Sequence, residues 1–191
     1  MIPMKTCYAG DRETWRAWLA ENFEKETEIW FVFPMKGAPE PAVSYNDAVE
    51  EALCFGWIDS TVHPIDERHQ ARRFTPRRPG SSYSRPNIER LLWLEERGML
   101  HPKVLEEVQE LIHTPYVFPE DILSVIRQDP IAWENYQKFT PSYQRIRIAY
   151  IDAARKRPVE FEKRLQSFLK KTRENKRIMG FGGIDKYYVG E

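Results

Sequence analysis

Apolar side chains recur along the first part of this chain at a spacing typical of helices. Residues 15–23 are apolar every three or four positions and follow Asp11, which predicts a first helix with that aspartate as its N-cap. Ser44 begins a capping sequence that predicts a second helix over about 45–55, and Gly56 ends it.

The spacing changes between and after these helices to that of strands. β-Branched and aromatic residues dominate 27–34, and a second run with strand character starts at Trp57. Residues 64–67 break that run, and 70–74 resume it, which indicates a hairpin. We therefore predict a three-stranded, largely antiparallel sheet with helices on one face.

Beyond residue 84 the pattern is helical throughout. Ser84 is expected to be an N-cap and Gly98 the residue that ends its helix. Five further helices are predicted to begin at or beside prolines, because the first turn of a helix tolerates a missing N–H; these are Pro102, Pro119, Pro130, Pro141 and Pro158.

The fold class that follows is α+β: a small antiparallel sheet packed with helices, followed by a helical C-terminal part. We predict an α+β domain over 1–98, a bridging helix and linker over 99–118, a helical domain over 119–177 and a flexible tail over 178–191. A single compact domain is the alternative, because the aromatic residues of 133–139 could pack on the sheet equally well.

Composition excludes several classes of protein. The 191 residues are 41% apolar, which is ample for a packed core. Two cysteines, Cys7 and Cys54, make neither a disulfide framework nor a four-thiolate zinc site. No stretch approaches the ~18 apolar residues of a membrane helix, and residues 1–10 lack the apolar segment of a signal peptide. We therefore expect a cytoplasmic protein with no membrane span, no metal and no cofactor, and we leave a homo-oligomer open.

Charge is segregated along the chain although the net charge is zero. Residues 1–67 carry −8, 68–85 carry +6, 86–144 carry −5 and 145–191 carry +7. The basic blocks either meet an anionic partner or are neutralised by the acidic blocks within the fold.

The first basic block provides the candidate ligand site. Guanidinium groups followed by the N–H groups of a helix start are what an anion site requires, since both supply fixed donors. The predicted ligand-binding residues are Trp57, Asp59, Arg72, Arg73, Arg77, Arg78, Ser84 and Asn87. The alternative is that these arginines pair with carboxylates nearby in the fold, among them Asp59, Asp66, Glu67, Glu50 and Glu51.

A hairpin centred at Asp66 would place Asp59 opposite Arg73, as an ion pair across the strands. The same register would bring His63 opposite His69, but two imidazoles without further ligands do not make a zinc site. Cys54 lies among apolar residues of the second helix and is expected to be a structural thiol.

Several long motifs resemble the YdeI/OmpD-associated family, also labelled bacteriocin-protection. In the N-terminal part they are residues 52–60, 73–79 and 83–90, and in the C-terminal part 141–143 and 153–158. His69 and Tyr83 stand where the family favours other aromatic residues. The label implies protection of the envelope in association with a porin, and the expected cytoplasmic location departs from that.

No Walker loop, G-x-S-x-G, G-x-G-x-x-G or H-E-x-x-H motif is present. We therefore favour a non-enzymatic binding or stress-protection protein that holds an anionic small molecule or protein partner at the Arg-rich surface. The first alternative is a small-molecule enzyme acting around Asp59, Arg73, Arg77 and Arg78. The second is a nucleic-acid-binding accessory protein. It is less favoured because Phe161 and Phe168, the aromatic residues of 155–177, fall on the apolar stripe of the last predicted helix and are not platforms for bases among the cations.

Overall fold

In the computed structural model, which describes residues 5–180 and Lys186, the chain forms two compact units. The first comprises the described residues of 1–83 together with 91–110, and the second those of 84–90 together with 111–191. The predicted bridge, residues 99–118, is thus divided between the two units. The α+β class with a helical C-terminal part is confirmed.

The first unit contains a four-stranded sheet. The strands are β1 (Thr6–Cys7), β2 (Ile29–Pro34), β3 (Trp57–Pro64) and β4 (His69–Pro76), in the order β1-β2-β4-β3. β1 is parallel to β2, and the other pairs are antiparallel. The prediction of a three-stranded, largely antiparallel sheet was therefore right in the direction of three strands but missed β1 at one edge, because a strand of two residues is too short to show an alternating pattern.

Two helices cover one face of this sheet, and both were predicted. They are α1 (Arg12–Asn22) and α2 (Tyr45–Cys54). The Asp11 side chain caps α1 by accepting from the Thr14 N–H at 2.7 Å, and the Ser44 side chain caps α2 by accepting from the Asp47 N–H. The Trp15 ring lies 4.6 Å from that of Phe31, centroid to centroid, within a fully buried aromatic core. Apolar burial of this kind is the main stabilising contribution to the unit.

Among the described residues, further helices begin where Ser84, for the first of them, and the prolines, for the other five, predicted. They are α3 (Arg85–Glu96), α4 (Pro102–His113), α5 (Glu120–Arg127), α6 (Pro130–Gln137), α7 (Pro141–Asp152) and α8 (Pro158–Arg173). Gly98 ends α3 with a φ of 62°, and the Met99 N–H returns to the Leu94 carbonyl at 2.9 Å. This is the left-handed cap predicted for that glycine.

A buried ionic network joins α1 to α2. Glu50 and Glu51 are each 0% exposed, and the Arg12 guanidinium reaches Glu51 at 2.5 Å and Glu50 at 3.0 Å. Arg16 completes the network, donating to Glu51 at 2.6 Å and to the Met99 carbonyl at 2.7 Å. Fully buried carboxylates are tolerated only when they are paired and hydrogen-bonded, so these contacts fix how the two helices pack.

The core of the second unit is aromatic. Tyr136, Tyr143 and Phe168 are buried together, and the Asn135 amide on α6 donates to the Thr172 carbonyl on α8 at 3.1 Å. The predicted flexible tail, 178–191, starts at a fixed point, because the Ile178 N–H donates to the Tyr143 hydroxyl at 2.8 Å. Residues 181–185 and 187–191 of that prediction lie outside the described residues. No helix in the described part is long and apolar enough to span a membrane.

The buried ionic network leads to a prediction for the stability of a variant that lacks Arg12. Arg12→Met keeps side-chain bulk but leaves two buried carboxylates short of a partner, so we expect a loss of about 3 kcal/mol or more in the free energy of unfolding. Urea denaturation, monitored by tryptophan fluorescence, measures this loss of stability. Lys5→Met is the matched control, since its ion pair with Glu26 is exposed and should contribute less than about 1 kcal/mol. Equal losses in the two variants would show that the network does not hold the helices.

Burial also determines how reactive the two cysteine thiols are. It raises the pKa of Cys54 to about 12, and the neighbouring Glu51 acts in the same direction. We therefore expect a thiol reagent at pH 8 to modify Cys7, which is half-buried, well before Cys54 in the folded protein, and to modify both in urea. Mass spectrometry of the digested protein measures the order; early labelling of Cys54 in the native protein would contradict it.

Candidate functional site

The register of the β3–β4 hairpin decides which arginine meets Asp59. Pro64 pairs with Gln70, so the turn is centred one residue beyond Asp66, and an irregularity between Asp59 and Val62 shifts the register again. Asp59 consequently lies opposite Phe74, and the predicted pairing of Asp59 with Arg73 was wrong. A bulge of this kind inserts an extra residue into one strand, which alternation in a sequence does not reveal.

Asp59 pairs instead with Arg72, and Tyr45 joins them. Arg72 Nη1 donates to Asp59 Oδ2 at 2.7 Å, and the Tyr45 hydroxyl donates to the same oxygen at 2.9 Å. The Arg72 guanidinium also lies 4.3 Å from the centroid of the Tyr45 ring. Two independent contacts therefore hold the plane of this guanidinium, one through its edge and one through its face.

The other edge of Arg72 is not used. Its Nε and Nη2 atoms have no hydrogen-bond partner among the residues that the structure describes, and the side chain is 23% exposed. Nε and Nη2 form the side of the guanidinium that can bind both oxygens of one carboxylate or phosphate group. The same edge of Arg145 does this in the second unit, where it donates to both oxygens of Glu89 at 2.7 Å.

A cavity of about 310 Å³ adjoins Arg72. Its walls come from the ends of β2 and β4 and from the start of α2; the lining residues include Phe33, Val43, Ser44, Tyr45, Gln70 and Arg72. Its volume is at the lower limit of small-molecule sites. The start of α2 adds the partial positive charge of a helix N-terminus beside the guanidinium. The arrangement therefore offers an oriented cation in a recess that fits a small anion.

The other arginines of the first basic block are used within the fold or are exposed. Arg73 pairs with Glu28 at 2.5 Å. Arg77 lies 3.6 Å over the Tyr83 ring and donates to the Ser82 carbonyl at 2.8 Å, so it closes its own loop. The Arg78 side chain is exposed and makes no hydrogen bond or ion pair with any other described residue, although the Arg78 carbonyl accepts from the Ser81 N–H at 3.1 Å. The predicted cluster is thus dispersed, and Arg72 alone of these four lines the cavity.

Three further residues of the predicted site lie elsewhere. Trp57 is 1% exposed, and its indole N–H donates to the Phe23 carbonyl at 3.1 Å within the core. Ser84 directly precedes α3, and its carbonyl accepts from the Asn87 N–H at 3.0 Å. The Asn87 side chain accepts from Arg90 at 2.8 Å. Both Ser84 and Asn87 belong to the second unit, and neither lines the cavity beside Arg72.

The histidine pair of the predicted hairpin does not form. His63 lies opposite Ala71, whereas His69 contacts Asp66 at 2.9 Å and Glu40 at 3.7 Å. Within residues 5–180, no group of three or more His, Cys, Asp or Glu side chains is placed to hold a metal ion.

Several arginines of the second basic block are ion-paired as well. Arg155 binds Asp121 at 2.8 Å, Arg164 binds Glu160 at 2.8 Å and Arg173 binds Asp129 at 3.1 Å. These pairs neutralise three of the arginines that could otherwise contact a phosphate backbone. They therefore support the interpretation of this block as an element of the fold.

Sequence reasoning found Asp59 and Arg72 but missed Tyr45. The signal was available, because an aromatic residue directly after an N-cap lies on the exposed first turn of a helix, where core packing does not require it. The contact between Tyr45 and Arg72 could not be predicted from the sequence, because it depends on how α2 packs on the sheet.

Comparison with known families divides the chain in two. Residues 7–107, just over half of the chain, match the model of a domain of unknown function (DUF8412). Residues 115–175 match the model of the family described as bacteriocin-protection, YdeI or OmpD-associated. That resemblance is confirmed for the C-terminal part, whereas the motifs at 52–60, 73–79 and 83–90 lie inside the first match. No curated protein and no solved structure matches the chain.

The contrast between Arg77 and Arg78 is testable. Arg77→Ala removes the stacking on Tyr83 and the bonds that close the loop, so we expect the free energy of unfolding to fall by about 1–2 kcal/mol. Arg78→Ala should change it by less than about 0.5 kcal/mol. Urea midpoints and the rate of proteinase K cleavage within 78–82 measure both. Similar behaviour of the two variants would contradict the structural role of Arg77.

Proposed function

The chain belongs to the family of the domain of unknown function DUF8412 and carries a YdeI or OmpD-associated domain, and from that premise we propose that it is a non-enzymatic anion-binding protein. The ligand carries a carboxylate or phosphate group, and Arg72 binds that group in the cavity formed by β2, β4 and the start of α2. The ligand is a small molecule, or the same acidic group on a protein partner.

The observation that carries this proposal is the oriented, unused edge of Arg72. A guanidinium that is free to rotate loses side-chain entropy when it binds an anion, but contacts with Asp59 and Tyr45 already restrict this one. Arg72 also lines the recess formed by β2, β4 and the start of α2. Preorganised donors of this kind bind oxyanions through paired, charge-assisted hydrogen bonds.

The same contacts favour binding over turnover. Oδ2 of Asp59 accepts from both Arg72 and Tyr45, so its role is to hold the cation in place. The Ser44 hydroxyl is also engaged, since it accepts from the Asp47 N–H at 3.1 Å and donates to Asp47 Oδ2 at 2.8 Å. A nucleophilic role would require a free base beside this hydroxyl, whereas the Asp47 carboxylate is itself ion-paired at 2.8 Å with the arginine at the start of α1. A protective role, which the family description of residues 115–175 suggests, would be exercised through the bound anion or acidic partner.

A thermal-shift measurement with acetate, succinate and inorganic phosphate at constant ionic strength tests the site. A probe present at a hundred times its dissociation constant stabilises the native protein by about 2.7 kcal/mol, which is a shift of roughly 5–10 °C. We expect such a shift with at least one probe for the unmodified protein, and its loss in Arg72→Gln.

The matched control is Arg78→Gln, which removes the same charge from the same basic block but from a side chain outside the cavity. It should keep the full shift. If no probe stabilises the unmodified protein, or if Arg72→Gln keeps the shift, the proposed site is wrong. Equal loss in both variants would indicate general charge attraction and would also contradict a site at Arg72.

A further inference from the structure

Exposed apolar side chains gather at the end of the sheet that carries Arg72. Met35, Tyr45, Val62 and Ile65 are each between 41% and 47% exposed, and they are four of the ten large apolar side chains exposed among the described residues. A single exposed apolar side chain is ordinary on a protein surface, whereas a group of them at one place indicates a binding surface.

Two of the four lie directly beside Arg72. Val62 is opposite Arg72 in the β3–β4 ladder, and the Tyr45 ring contacts the Arg72 guanidinium. The Tyr45 ring also lies 6.3 Å from that of Phe33, centroid to centroid, and both residues line the cavity beside Arg72. The cavity is therefore bordered by apolar side chains as well as by a cation.

The other two lie farther along β4, towards the hairpin turn. The Ile65 N–H donates to the His69 carbonyl at 3.0 Å, and the Met35 N–H donates to the Arg68 carbonyl at 2.7 Å. Because a strand rises about 3.3 Å per residue, these backbone contacts lie roughly 10–13 Å from Arg72 along the sheet. An extended chain of about four residues spans that distance.

This surface is larger than a compact anion needs. A small carboxylate or phosphate fits the cavity of about 310 Å³ but leaves Met35 and Ile65, which do not line it, exposed to water. A segment of a second protein covers both the cavity and these side chains. Arginine, methionine and aromatic residues, which meet here, are the types enriched where proteins contact one another.

The surface beyond Arg72 carries both signs of charge. The charged residues near the hairpin turn and the start of the loop after β2 are Lys36, Glu40, Asp66, Glu67 and Arg68. A run of acidic residues in a partner would meet like charges here, which is unfavourable. At Arg72 itself, Nε and Nη2 have no partner among the described residues and are complementary to a carboxylate. The charges therefore fit a segment with one carboxylate and apolar neighbours.

We propose that the Arg72 site binds an extended segment of a partner protein, in which one Asp or Glu side chain binds Arg72 and an apolar side chain about four residues away packs on Met35 and Ile65. The proposal rests on the proposed function, because it uses the same edge of Arg72. It adds the class of partner, a protein segment in which a single carboxylate stands among apolar residues.

Selection of peptides from a phage library of random 12-residue sequences, with the whole chain as the target, tests the proposal. We expect the enriched peptides to share one acidic residue with a large apolar residue about four positions away. Fluorescence polarisation with labelled synthetic copies then gives their affinities. Arg72→Gln should weaken binding at least roughly tenfold, and Arg78→Gln should leave it unchanged.

The apolar part of the surface is tested by replacing Met35→Ser and Ile65→Ser together. We expect the affinity of the selected peptides to fall roughly tenfold, because apolar contacts are lost. Met179→Ser with Ile131→Ser is the matched control, since these residues are of the same types, are 52% and 51% exposed and belong to the second unit. Peptide affinity should survive the control, and circular dichroism checks that both double variants fold.

Several results would overturn the proposal: no enrichment of peptides, enriched peptides that share no acidic residue, or an affinity that Arg72→Gln leaves unchanged. Equal loss in the two double variants would also contradict it. The thermal shift with small anions, measured on the same preparation, separates this proposal from the one before it. A shift that depends on Arg72 without any enriched peptide would remove only the protein partner, whereas absence of the shift would remove the anion site itself.

Discussion

The two adjacent carboxylates buried on α2 are the constraint on which the N-terminal unit depends. Glu50 and Glu51 can lie in the core only while Arg12 and Arg16 reach them, so α1 and α2 must keep one angle and one offset. The packing of α2 against α1 determines where the first turn of α2 lies in space. It therefore also determines where Tyr45, the first residue of α2, lies relative to the sheet. One wall of the cavity beside Arg72 is thus positioned by the packing that this network fixes, although the four residues of the network do not line the cavity.

Local chemistry explains why most elements could be predicted from the sequence. The N-caps at Asp11 and Ser44, the left-handed glycine at position 98 and the prolines at helix starts all act within a few residues, and all were correctly placed. The site could be predicted only in part, because it depends on register and on packing between distant segments. Asp59 and Arg72 were identified as residues, but the bulge in β3 decided that they meet.

The segregated charge had two interpretations: the basic blocks meet an anionic partner, or the acidic blocks neutralise them within the fold. The contacts of each arginine have to be compared with these two interpretations separately. Arg73 and Arg155 pair with carboxylates of the acidic blocks, whereas Arg77 donates to a carbonyl of its own loop. Arg72 is compatible with both interpretations, since one edge is paired and the other has no hydrogen-bond partner among the described residues. Net charge along a sequence identifies where cations are plentiful, but only the geometry of each guanidinium shows what it has left to bind.

The division of α3 between the two units affects where the chain can be cut to express its C-terminal half. The two family matches suggest a cut between residues 107 and 115, yet residues 84–90 belong to the C-terminal unit. Glu89, which is buried, binds both Arg85 and Arg145 there. A fragment that starts after residue 107 would therefore expose the Arg145 guanidinium and the surface that 84–90 covers. Soluble expression of the C-terminal half is better sought with a start at or before Ser84.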